Sequence, residues 1–256
     1  MTVKETVLKE INDFCLKHNL TLLLVVETGS RAWGFESKDS DYDVKFIYMR
    51  QKDEYLRLDK SKDTVDLIHT DSLDIGGWDI SKFLKLMYKS NPTVYEWLHC
   101  KVYYENVLFY EVRKIAPMYY NNFKTAWHYY GMSENHDRRY IRNRTPTKKR
   151  YLHAVRATLC GLWALNNPEI FPPTDFEELK NILLDKDLIP IVEGIVVDKK
   201  CGIADLPCEN IPELDEWLEK NNSVIFTTLK NSKIKSTNNW NALNSLFVFL
   251  LYSYLK

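Results

Sequence analysis

Two short apolar runs joined by a polar connection constrain this chain most. Residues 20–26 end just before Gly29-Ser30, and residues 44–48 follow directly on Asp41-Tyr-Asp43. Runs of this length bounded by turn residues read as buried strands. Side chains alternate faces along a strand, so Asp41 and Asp43 share one face while Tyr42 and Val44 share the other. Adjacent carboxylates in a partly desolvated place repel each other unless a cation lies between them, and hard oxygen donors suit Mg²⁺ or Mn²⁺. The Gly29-Ser30 turn can aim backbone N–H groups and a hydroxyl at a phosphate, particularly where the next residues start a helix. Either motif alone is more often ordinary turn chemistry. Their order along two successive strands points to phosphoryl chemistry.

Periodicity places these motifs in a small mixed sheet. Val3, Val7, Leu8, Ile11, Phe14 and Cys15 recur at helical spacing, which predicts an amphipathic first helix ending near His18-Asn19. After the two strands, residues 64–69 alternate as a third. Its Asp66 would be expensive inside an apolar strand unless it faced a metal or a cleft, which makes it the favoured third carboxylate. Asp74 and Asp79 flank Gly76-Gly77 and have structural explanations as turn and N-cap residues. Ile80, Phe83, Leu84, Met87 and Tyr88 form one helical stripe that stops before Asn91-Pro92, and residues 101–104 add a short strand. Beyond residue 107 the pattern is helical almost throughout, with a capping box expected at Thr174-Asp-Phe-Glu177. The expected architecture is α+β: a sheet domain over residues 1–106 and a helical bundle over 107–256.

The chain of 256 residues has 45% hydrophobic residues, ample for a core, and only 8 glycines, which argues against a long flexible linker. Lys4, Glu5, Lys9 and Glu10 interrupt the N-terminal apolar residues, unlike a signal peptide. The apolar stretch 245–255 is too short to span a bilayer. An odd number of cysteines, 5, without Cys-x-x-Cys spacing argues against a disulfide framework or zinc ribbon, so a cytoplasmic protein is expected. No Walker or dinucleotide-binding motif is present, and the histidines show no metal-ligand spacing.

Net charge is zero, yet Arg138, Arg139, Arg142, Arg144, Lys148, Lys149, Arg150 and Arg156 fall in a stretch without one acidic residue. Such a run is either a solvated face or an anion surface that holds a triphosphate or follows a nucleic-acid backbone beside Tyr140 and Tyr151.

The Gly-Ser after one strand and the paired acids opening the next resemble the DNA polymerase β-type nucleotidyltransferase superfamily. A closer resemblance is to a bacterial branch of predicted nucleotidyltransferases, some encoded beside RNA-repair genes. It is carried by Gly29-Ser-Arg-Ala-Trp-Gly-Phe35, Ser40-Asp-Tyr-Asp-Val44, Leu73-Asp-Ile-Gly-Gly-Trp-Asp-Ile80 and Lys89-Ser-Asn-Pro-Thr-Val-Tyr-Glu-Trp97. More loosely it extends to Lys148-Lys-Arg-Tyr-Leu-His-Ala-Val-Arg156, and no motif of the last third of the chain joins it.

The resemblance implies a reaction type. Asp41, Asp43 and Asp66 would hold two Mg²⁺ (or Mn²⁺) ions that align an acceptor hydroxyl with the α-phosphorus of an NTP, with Asp66 also taking the proton. Gly29 and Ser30 would hold the outer phosphates, helped by Arg31 and by Lys148, Lys149 or Arg156. Arg138, Arg139 and Arg142 would contact nucleic acid, the expected acceptor being an RNA 3′ end. Transfer to a protein or a small molecule is the alternative, and a non-catalytic binding module is a third reading. Adjacent carboxylates that repel phosphate speak against that third reading.

Overall fold

The apolar run after the first helix becomes the middle of the sheet because it has no polar face to show to water. In the computed structural model, which describes residues 2–38, 40–59, 61–70, 72–142, 145–232 and 239–253, β1 (Thr21–Thr28) is buried along all eight residues. It pairs antiparallel with β2 (Tyr42–Met49) on one side and with β5 (Lys101–Glu105) on the other. Outward from β2 come β4 (Leu73–Asp79), parallel to it, and β3 (Thr64–His69), antiparallel to β4 at the edge. The order β3-β4-β2-β1-β5 is a five-stranded mixed sheet, as the α+β reading expects.

Helix α1 (Val3–Lys17) starts with the capping box of Thr2 and Glu5, and Val7, Ile11 and Cys15 enter one core cluster with Val44, Phe46, Tyr48 and Ile75 of the sheet. By strand alternation, Asp43 and Lys45 are on the face of β2 away from α1. A four-residue helix, α2 (Gly29–Ala32), follows β1 directly, and α3 (Lys52–Tyr55) follows β2. Asp79 caps α4 (Ile80–Tyr88) by accepting from Ser81 N at 2.8 Å, as its spacing implies. Next come α5 (Pro92–His99), where Trp97 stacks near Trp78 at 4.1 Å, and α6 (Phe109–Ile115).

One expectation fails here. Gly76-Gly77 is not a turn but the middle of β4, and Asp74 is a strand residue. The reason is close packing: Phe46, the register partner of Gly77, lies so near that a Cβ on residue 77 would sit 2.4 Å from its ring. Glycine inside a strand often marks such an approach of a neighbour.

The helices that follow are α7 (Asn122–His136), α8 (Lys148–Asn166), α9 (Phe176–Leu183), α10 (Ile189–Lys200), α11 (Pro212–Asn231) and α12 (Trp240–Ser253). The cap of α9 is Asp175, not Thr174, because its carboxylate reaches Glu177 N at 3.0 Å. By packing the chain forms two compact units, one of residues 1–32, 41–120 and 237–256, the other of 33–40 and 121–236. This grouping differs from a division at 106/107. In the first unit α12 returns to the sheet elements, its Trp240 stacked on Tyr88 at 3.8 Å. In the second, a buried network of Ser133, Thr158 and Asn222 ties α7, α8 and α11 together above Ala126, Ala164 and Ile225. Among the described residues no helix is long and apolar enough to cross a membrane.

Candidate active site

Strand β1 hands over to α2 at Gly29, and the handover needs a glycine twice. Its φ of +71° is in the left-handed region, and a Cβ there would lie 2.0 Å from Asp43 Oδ2. Thr28 pairs with Asp43 across the two strands, and its hydroxyl donates to the Asp43 carbonyl at 3.1 Å. The Gly-Ser turn and the second aspartate of the acidic pair are therefore packed against each other. Ser30, next in α2, is half-buried beside them.

Arg31 does not reach freely toward solvent. Its Nε donates to Glu27 Oε1 at 2.7 Å, and its guanidinium lies 4.0 Å from the ring centre of Tyr42. Burial would raise the pKa of Glu27, but Lys101 and Arg31 together hold it below the ordinary range. Glu27, nearly buried, thus anchors two cations near the turn.

Asp43 is the carboxylate under stress. Desolvation raises its pKa, and the charges of Asp41 and Asp74 raise it further against the opposing pull of Lys45. Asp74 is the register partner of Asp43 on the adjacent strand, a relation hidden in the sequence while Gly76-Gly77 reads as a turn. The sequence carries only part of the signal: Leu73, Asp74 and Ile75 alternate, but Gly76-Gly77 and the apolar Trp78 break the period. Burial would raise the pKa of Asp74, but Lys45, 2.5 Å from Oδ2, and His69, 3.6 Å from Oδ1, bring it below the ordinary range.

Asp66 is elsewhere. It lies on the edge strand β3, opposite Gly76 and separated from β2 by β4, and it is exposed, so the cost of burying an unpaired carboxylate does not arise there. Among the described residues no three His, Cys, Asp or Glu side chains meet as a ready metal cage; Asp74 holds Lys45 instead. Asp41, Asp43 and Asp74 offer carboxylate oxygens, the donor type that suits a hard divalent cation, and the repulsion that Asp41 and Asp74 exert on Asp43 is what a cation would relieve.

The basic run lies in the second unit, where acids just before it in sequence and others far along the chain meet it. Lys148 pairs with Asp198, and Lys149 with Asp205 at 3.0 Å. Arg138 meets Glu134 at 2.8 Å, while Arg142 bridges Asp137 at 2.8 Å and Glu219, 77 residues on. Arg156 is buried with its guanidinium 4.0 Å from the ring centre of Trp33, Arg139 is exposed, and Arg144 lies outside the described residues. Phe35 is buried against Phe176, and His153 abuts Trp33 and His136. Desolvation, with His136, Lys149, Arg156 and Arg150 around it, pushes His153 down to about 3.

A sequence model of the RNA repair pathway DNA polymerase beta family matches residues 3–249. The chain is 30% identical over 249 residues to "Uncharacterized protein YcgL" of Bacillus subtilis (strain 168), covering 96% of this chain and 95% of that one. Among solved structures, a nucleotidyltransferase-like protein from Exiguobacterium sibiricum 255-15 aligns over 99% of this chain and 90% of its own, at 9% identity and a TM-score of 0.32.

Proposed function

The chain belongs to the RNA repair pathway DNA polymerase beta family, and from that premise we propose that it transfers a nucleoside monophosphate from an NTP to a hydroxyl acceptor, the 3′ end of an RNA. One observation carries the reading. Asp43 lies against Gly29, so the carboxylates of Asp41 and Asp43 and the N–H groups and hydroxyl of the Gly-Ser turn share one end of the β1–β2 pair. A plain binding module has no use for repelling carboxylates beside a phosphate cradle.

In this reading Asp41, Asp43 and Asp74 would hold Mg²⁺ or Mn²⁺. When bound, such ions neutralise charge on the triphosphate and favour departure of pyrophosphate. Asp74 takes the role first expected of Asp66, because it is the cross-strand neighbour of Asp43. Lys45 keeps Asp74 ionised and oriented, and so able to accept the hydrogen bond of an incoming hydroxyl. Ser30 and the backbone N–H groups of the turn orient the outer phosphates, with Glu27 fixing Arg31 close by. Incubation with each α-labelled NTP, Mg²⁺ or Mn²⁺, and either RNA or protein tests the acceptor. Label in RNA supports the proposal, and label in protein would replace it with protein nucleotidylation.

A further inference from the structure

Two rows of register partners run side by side across the sheet. Thr28, Asp43, Asp74 and His69 are successive partners on β1, β2, β4 and β3. Two positions along β2, the row is Val26, Lys45, Gly76 and Asp66. Cross-strand partners share a face, so Lys45 and Asp66 are on the face that carries Asp43 and Asp74. Val65, beside Asp66, is on the other face and packs on the core cluster.

The space left by Gly76 is where the Lys45 side chain lies. A Cβ on residue 76 would be 3.5 Å from Lys45 Nζ and 3.7 Å from its Cδ. Lys45 thus reaches over β4, where its Nζ meets Asp74 Oδ2 at 2.5 Å. Neighbouring strands are about 4.8 Å apart, so from above Gly76 the ammonium is within a rotamer change of the Asp66 carboxylate on β3. Asp66 is exposed and has no ion-pair partner among the described residues.

One lysine therefore has two carboxylates within reach. Asp74 is the one in the acidic row, and a divalent cation that enters this row competes with the ammonium for it, because the two positive charges repel. His69 is the weaker rival, exposed and 3.6 Å from the other oxygen of Asp74. We propose that Lys45 is the displaceable counter-ion of the acidic row: when a divalent cation enters beside Asp43, the ammonium leaves Asp74, passes over Gly76 and pairs with Asp66. Until then Lys45 keeps Asp74 ionised, and the entering cation takes over that duty. Asp66 is here a positioning residue and not a metal ligand, and Gly76 is the gap through which the lysine swings. This relay rests on the metal-dependent transfer proposed above.

A calorimetric Mn²⁺ titration of the full chain without nucleotide tests it as a double-mutant cycle. Lys45→Met keeps most of the side chain and removes the competing charge, so Mn²⁺ should bind roughly tenfold tighter. Asp66→Asn removes the second partner of the ammonium, and affinity should fall about threefold, as for an exposed ion pair. The loss is one of affinity, so saturating metal hides it. With both substitutions present, affinity should equal that of Lys45→Met alone. A direct charge effect of Asp66 on the cation would instead give the same loss in both backgrounds, and that result would overturn the relay. Unchanged affinity in Asp66→Asn, no gain in Lys45→Met, or no Mn²⁺ bound by any of the four proteins would overturn it as well. If the cycle holds while the wild-type protein transfers no label, the relay stands and the transferase reading falls.

Discussion

Gly29 and Asp43 are in contact so close that no side chain fits between them: a Cβ on residue 29 would stand 2.0 Å from Asp43 Oδ2. The glycine is therefore a packing requirement of the carboxylate as well as of its own backbone. Gly29→Ala should cost at least about 1 kcal/mol from the positive φ, and should cripple transfer by displacing Asp43. Thermal unfolding and a turnover assay on the same preparation check both. Wild-type turnover in Gly29→Ala would dissociate the turn from the carboxylate.

Asp43→Asn removes a charge without removing volume. Because the folded protein holds the Asp43 pKa up, the stability tied to its protonated form is present at low pH and lost as pH rises through that raised value. At neutral pH the ionised side chain is a burden, so Asp43→Asn should unfold at a slightly higher temperature than wild type while losing activity. A lower melting temperature would mean that something other than repulsion dominates there.

The three rival aspartates should separate cleanly. Asp74→Asn should lower turnover by orders of magnitude, since it faces Asp43 in register; Asp66→Asn, exposed on the edge strand, should leave turnover near wild type. Asp79→Ala should mainly cost stability, about 1 kcal/mol for the lost cap, with some addition from Tyr55 and Arg50, which also meet its carboxylate. Steady-state kinetics and denaturant titration of the three variants give the ranking.

His153 offers a test by pH alone. Its folded pKa near 3 is well below that of an exposed imidazole, so its contribution to stability is present at high pH and is lost as pH falls below the unfolded value. Acidification from about pH 6.5 to 5 should cost on the order of 1–2 kcal/mol, and His153→Gln should remove most of that slope. Denaturation midpoints across this range, in wild type and variant, check the sign.

Local pattern made much of this protein legible. Gly29-Ser30, Asp41-x-Asp43, the stripe of α4 with its Asp79 cap and the first and last strands of the sheet all follow from residues near one another in sequence. Strand β4 did not, because Gly76-Gly77 reads as a turn until the ring of Phe46, thirty-one positions earlier, is seen lying on Gly77. With β4 hidden, Asp74 reads as a turn residue, and the apolar pattern around Asp66 favours Asp66 as the third carboxylate, although it is exposed on the edge strand. The basic run looked unpaired for a similar reason: Asp198, Asp205 and Glu219 reach it only through the packing of helices far along the chain. Register and long-range ion pairs are properties of the packed molecule, and no window of sequence contains them.

The central claim is that the α-phosphorus of an NTP is the atom attacked. Parallel reactions with α-labelled and γ-labelled NTP, Mg²⁺ and RNA test it most directly, with Asp43→Asn as the control. The α-label should become covalently bound to RNA in wild type and not in Asp43→Asn, while the γ-label leaves as pyrophosphate. Transfer of the γ-label to the acceptor, or undiminished α-label transfer by Asp43→Asn, would contradict the account.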